Sequence, residues 1–449
     1  MTAPTTLHAA AQALATGQTT SRALVESCLA KIADPAGQGA ATFITVYAAQ
    51  ARASADAADT QRQAGRAPGP FAGIPISIKD LFDVAGETTR AGSTVLTTSP
   101  PATAHAAIVS RLLQAGLIPI GRTNMTEFAF SGVGINPHYG TPLSPWRRQE
   151  KHIPGGSSSG AAVSITDGFA FGAIGTDTGG SCRIPAALCG IAGFKPTQRR
   201  VPLTGALPLS PTLDSIGPLA PTAACCAALD AILAGEPDRT LPTISPSGLR
   251  LLLPTNLAFE HIDDATEDAL DRAVQRLDRA GALIHRAPLR AFDDIAAAHV
   301  KGGFASVEAY VWHKTLLETR AAEFDPRVAS RILMGAGMTA ADYIALAQAR
   351  ARIIAAFTAD MAGYDALILP TTPIAPPRIS KFGPEDSYWK LNYLLLRNPS
   401  QINFLDGCAI SMPCHAPGNP PAGLMIAAPA MHDTRVLAMA IAVEPILQL

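Results

Sequence analysis

Apolar and polar positions along this chain follow two periods, one helical and one extended. From Ser21 to Ile32, the residues Leu24, Val25, Cys28, Leu29 and Ile32 fall on one helical stripe, with Thr19, Thr20 or Ser21 placed to cap its start. The turn-rich Arg66-Ala-Pro-Gly-Pro70 leads into Gly73-Ile-Pro-Ile-Ser-Ile-Lys79, whose β-branched character predicts a short strand. Residues 106–115 read as a helix with Gly116 just past its end, and 117–120 read as a buried strand. The stretch from Gly235 to Gly248 is rich in Pro, Ser and Thr, which predicts a surface loop between two halves of the chain. After it, 249–253 reads as a strand. Residues 268–280 read as an amphipathic helix with Leu270, Val274 and Leu277 inward, ended by Gly281. Strands are predicted at 366–369, 409–412 and 424–427, and a closing helix at 436–443. Such alternation of helix and strand is the α/β pattern.

Composition narrows the class. Of 449 residues 48% are hydrophobic and 16% charged, so the chain can bury a large core and does not read as disordered. Lys plus Arg number 35 against 36 Asp plus Glu, and the short basic runs Arg147-Arg148 and Arg199-Arg200 make no basic face, so nucleic-acid binding is not expected. The seven cysteines contain no CxxC pair and read as free thiols in a reducing compartment. The ten histidines contain no HExxH, and no metal or cofactor is expected. No signal peptide and no apolar run of roughly 18 residues is found, so a cytoplasmic protein without membrane contact is the expectation.

Chemistry concentrates between Pro154 and Thr197. Two Gly/Ser clusters stand there, Pro154-Gly-Gly-Ser-Ser-Ser-Gly160 and Gly175-Thr-Asp-Thr-Gly-Gly-Ser-Cys-Arg183. A flexible linker would lack the apolar residues that follow each cluster, and would have no use for Asp177 and Arg183. A phosphate loop needs GxxxxGK[ST], which is absent. Gly156-Ser-Ser-Ser-Gly160 matches GxSxG around Ser158, but that elbow needs a strand immediately before it, and Lys151-His-Ile-Pro-Gly is a poor strand.

Both clusters closely resemble those of the amidase signature family. Ser157 and Ser181 are 24 residues apart, which is the family's spacing. Further segments match: Gly73 to Asp80, Gly121-Arg-Thr-Asn-Met-Thr-Glu-Phe128, Gly193-Phe-Lys-Pro-Thr197, Leu213-Asp-Ser-Ile-Gly-Pro218 and Tyr364-Asp-Ala-Leu-Ile-Leu-Pro-Thr-Thr-Pro373. The resemblance runs from about residue 20 to the C-terminus. It implies an α/β fold with a mixed, twisted β-sheet covered by helices on both faces. It further implies a single domain over 1–449, with a helical part at 1–70, the signature core at 71–235, and 249–449 completing the same domain.

The resemblance also assigns roles. Ser181 falls at the nucleophile, Ser157 at a bridging serine preceded by a cis peptide, and Lys79 at the terminal base. A serine hydroxyl needs a base, and lysine serves only when neutral, so burial must lower its pKa. Ile74, Ile76, Ile78 and Phe82 are the apolar neighbours expected to do so. Backbone N–H groups of Thr178, Gly179 and Gly180, with that of Ser181, are the expected oxyanion donors. Asp177 and Arg183 are expected to brace the loop, with Ser158 in support.

The implied activity is hydrolysis of a small-molecule amide, ester or carbamate by a monomer or homodimer. The alternatives are the glutaminase component of a tRNA-dependent amidotransferase, acting with partner chains, and a binding module without activity. His138, Tyr139, Trp146 and His152 are candidate pocket residues, as are Phe128, Phe130, Tyr388, Trp389 and Tyr393.

Overall fold

The computed structural model describes residues 6–383 and 385–447. Eleven strands form its framework: β1 (Phe43–Val46), β2 (Pro75–Lys79), β3 (Ile118–Thr123), β4 (Ala173–Asp177), β5 (Ala192–Lys195), β6 (Ser215–Ala220), β7 (Arg250–Pro254), β8 (Leu283–Ala287), β9 (Ala366–Pro370), β10 (Cys408–Pro413) and β11 (Gly423–Ala428). They make one sheet in the order β1-β3-β2-β4-β6-β5-β10-β11-β9-β7-β8. The sheet is mixed. β2 lies parallel to β3 and β4, and β7 parallel to β8 and β9, while β4, β6, β5, β10, β11 and β9 pair antiparallel in turn.

Helices cover both faces, so the inner strands are buried on both sides and read as apolar runs rather than as alternation. One core cluster packs Ile74, Ile76, Ile78, Ile174, Phe194 and Ile410 against one set of helices. The opposite face packs Ala173, Leu219 and the helices Ser21–Ala33, Ser159–Thr166 and Arg183–Cys189. Farther along, Leu252, Leu367, Leu369 and Met425 pack against the helix Ala340–Asp360.

The strands and helices read from periodicity are present within a few residues of their expected bounds. Thr20 caps the helix Ser21–Ala33 by accepting from the Ala23 N–H. Residues 235–248 hold no helix or strand, but the strands on either side of them share one sheet, so this loop does not divide the framework. Periodicity did not bring out the helices Arg290–Ala298, Phe304–Arg320, Pro326–Leu333 and Ala340–Asp360 that build a wall beside the sheet. Among the described residues, no helix is long and apolar enough to cross a membrane.

Candidate active site

β2 and β4 run side by side in the same direction; β2 ends at Lys79, and β4 runs about two residues farther, to Asp177. Crevices outside the carboxyl ends of parallel strands are common ligand sites. Strand alternation fixes where Lys79 goes. Ile74, Ile76 and Ile78 enter the core on one face, while Ser77 leaves on the other, where its Oγ lies 2.8 Å from Ser164 Oγ. Lys79 shares the Ser77 face. Ile76 and Ile78 of β2 therefore pack on the face opposite Lys79.

Lys79 is completely buried. Its Nζ donates to Ser157 Oγ at 2.8 Å and to Thr176 Oγ1 at 2.7 Å. Among the described residues it has no carboxylate partner. Burial lowers its pKa to about 8, against the weaker upward pull of Cys182, Asp214 and Asp177. Thr176 was not singled out in the sequence, although it stands one residue before Asp177 in the second cluster.

The two Gly/Ser clusters interlock. The Gly156–Ser157 peptide is cis. Gly156 N–H donates to Gly132 O at 2.8 Å, and Ser157 O accepts from Thr126 N–H at 3.0 Å. Ser158 N–H donates to Ser181 O at 3.3 Å and its Oγ donates to Thr176 O at 3.3 Å, tying the start of the helix Ser159–Thr166 to β4 and the loop after it. Ser181 is only 3% exposed. Among the described residues its Oγ has no hydrogen-bond partner, so no bond joins it to Ser157 Oγ.

Asp177 folds the loop. Its Oδ1 accepts from Gly180 N–H at 2.9 Å, and its Oδ2 from Cys182 N–H at 3.1 Å. Arg183 grips it at both oxygens, with Nε to Oδ2 at 3.0 Å and Nη2 to Oδ1 at 2.8 Å. Asn403 also donates to Oδ1 at 3.0 Å. Burial pushes the Asp177 carboxyl up, but the Arg183 guanidinium, with Lys195 and Asn403, outweighs this and holds it below its usual range. Engaged by Asp177, the Gly180 N–H is not a free oxyanion donor, which corrects its expected role. The N–H groups of Thr178, Gly179 and Ser181 donate to no other described residue. Gly180 has φ 127°, and a Cβ there would lie 2.6 Å from Pro399 Cγ, so only glycine fits.

Thr178, Gly179 and Ser181 open onto a cavity of about 500 Å³. Phe130 and Tyr393 line it, as do Phe304, Leu396 and Arg331. Phe128 does not, being packed against His313 and Phe324. Tyr388 is buried with its Oη on Ser131 Oγ at 2.7 Å, and Trp389 stands edge-on to it. His138 contacts Glu127 at 2.9 Å, Tyr139 reaches Ser93 O, and Trp146 packs on His152, so none of these four is a pocket residue.

A buried lysine held on two hydroxyls thus stands in the same loop framework as a serine that lines a cavity. The family model Amidase matches residues 23–437, and the chain belongs to that family. It is 36% identical over 405 residues to the 2-amino-5-chloromuconic acid deaminase of Comamonas testosteroni, covering 89% of this chain and 87% of that one. It is 34% identical over 457 residues to a glutamyl-tRNA(Gln) amidotransferase component of Chloroflexus aurantiacus, covering 94% and 92%. Among solved structures, one described as an amidase superposes with a TM-score of 0.88 at 30% identity, over 98% of this chain and 99% of that one.

Proposed function

We propose that this enzyme cleaves the C–N bond of a small amide, anilide or carbamate through an acyl-enzyme on Ser181, acting without partner chains. The observation that carries the reading is the setting of Lys79: buried, bonded to two hydroxyls and, among the described residues, ion-paired to no carboxylate. A buried amine in that setting gives up its proton near neutral pH and serves as a base.

Neutral lysine has two N–H groups and one lone pair. Thr176 Oγ1 takes an N–H, which leaves the lone pair free to turn to Ser157 at 2.8 Å. Ser157 then passes its proton to Lys79 as it takes one from Ser181. The missing step is a rotation of Ser181 Oγ towards Ser157 as substrate enters, since catalytic hydrogen bonds commonly tighten only in the complex. Ser181 Oγ attacks the carbonyl carbon, and the oxyanion is received by the N–H groups of Gly179 and Ser181, with Thr178 beside them. Each such donor contributes about 3–4 kcal/mol. The proton returns along the relay to the leaving nitrogen, and water hydrolyses the acyl-serine.

The name of the Comamonas testosteroni relative, a deaminase, is that of a C–N cleaving activity. The test is incubation of the purified chain with p-nitroacetanilide. A burst of nitroaniline and an acetyl adduct on Ser181 in the mass spectrum are expected. No adduct, or release undiminished in Ser181→Ala, would reject the reading.

A further inference from the structure

One side chain in the cavity is not accounted for by the relay. Arg331, on the helix Pro326–Leu333, lines the same cavity as Ser181. Its guanidinium sits 4.8 Å from the Phe130 ring centroid, 5.4 Å from that of Tyr393 and 5.7 Å from that of Trp389. Its Nη1 is buried without a hydrogen-bond partner, and among the described residues Arg331 forms no ion pair.

Its neighbours differ. Arg327, one turn earlier, holds Asp325 through two bonds of 2.8 and 2.7 Å. Arg397, which lines the same cavity, donates to Ala258 O at 3.0 Å and to Glu260 O. Arg331 alone of these three is held only by aromatic faces. A guanidinium withdrawn from water without a counter-ion is unfavourable, and ring faces offset that only in part. Its planar fork of donors fits a carboxylate at two points.

Two more features define what the cavity accepts. Among the described residues that line it, none is acidic. Gln401 also lines it, and its Oε1 is buried without a partner while Nε2 donates to Arg397 O at 3.1 Å. The cavity is therefore lined by an arginine without an ion-pair partner and by no anion to meet an ammonium group.

We propose that Arg331 binds a carboxylate of the substrate, and that the substrate is a carboxylate-bearing amide with no ammonium group. This rests on Ser181 being the nucleophile of the same cavity. It sets this chain apart from a glutaminase, because glutamine brings an α-ammonium group into a cavity with no acidic partner for it.

The test compares kcat/KM for succinamate and glutaramate with that for butyramide, pentanamide and glutamine. The better acidic amide should exceed its neutral counterpart by about 10-fold to 100-fold, the range of a charge-assisted hydrogen bond, with glutamine poorest. In Arg331→Met that ratio should fall towards one, and in Arg331→Lys it should be intermediate. Should the methionine variant not fold, the lysine variant carries the comparison. Equal loss on acidic and neutral amides, preference for the neutral amide, or glutamine as best substrate would overturn the proposal. Calorimetric titration with glutarate separates it from the catalytic reading. Ser181→Ala should lose turnover yet bind glutarate, whereas Arg331→Met should not bind it. Unchanged glutarate affinity in Arg331→Met overturns this proposal alone, whereas retained turnover in Ser181→Ala overturns the catalytic reading on which it rests.

Discussion

Lys79 Nζ lies 2.8 Å from Ser157 Oγ at the meeting of two segments 78 residues apart in sequence, and among the described residues the amine forms no ion pair. Burial lowers the Lys79 pKa to about 8. On the proposed mechanism only the neutral amine is active, so kcat/KM should fall about tenfold per pH unit below pH ~8. A rate profile that stays flat down to pH ~5 would remove Lys79 from the role of base.

The same lysine burdens the fold. Its folded pKa is depressed from 10.5 to about 8, so below pH 8 it is protonated in both folded and unfolded chains and burying the charge destabilises the protein. That penalty fades as pH rises from 8 to 10.5, where the folded amine is neutral. Lys79→Met should therefore abolish activity yet raise stability by about 1–3 kcal/mol at pH 7, with the gain shrinking towards pH 10. Denaturant melts of both proteins across this range measure it.

Ser181 is nearly buried but its Oγ makes no hydrogen bond to a described residue. Ser181→Ala should change stability by less than about 1 kcal/mol while kcat drops by roughly 10⁴-fold or more. Parallel thermal melts and single-turnover assays distinguish this from a folding defect.

Adjacent glycines in the loop should behave differently. Gly180→Ala puts a Cβ 2.6 Å from Pro399 Cγ at a φ of 127°, so a loss of about 1–3 kcal/mol is expected. At Gly179 the nearest atom, Leu396 Cδ2, is 3.5 Å away, and Gly179→Ala should fold normally. Comparing their melting temperatures decides the point.

Arg183→Met leaves Asp177 buried without its cation, which should cost about 3–5 kcal/mol at neutral pH. The Asp177 carboxyl is depressed in the fold, so its pairing stabilises above the unfolded pKa of 3.8 and is lost only as pH falls through the lower folded value. The variant's deficit should therefore narrow on acidification, a trend that denaturant titration at successive pH values would detect.

What the sequence determined by itself is the candidate chemistry carried on short contiguous motifs. Lys79, Ser157 and Ser181 were legible as candidates because each stands in a short motif, and the strands β2, β3, β7, β9, β10 and β11 because of their short apolar, β-branched runs. Tertiary structure decided the rest. Only folding shows that Thr176 shares the lysine, that Asp177 takes the Gly180 N–H, and that the isoleucines of β2 pack on the face away from Lys79. Arg331 comes from a helix 150 residues beyond Ser181 and lies in no motif, so nothing local marks it. An unpaired charge is a property of the space around it, and that space is set by packing between distant segments rather than by the order of residues along the chain.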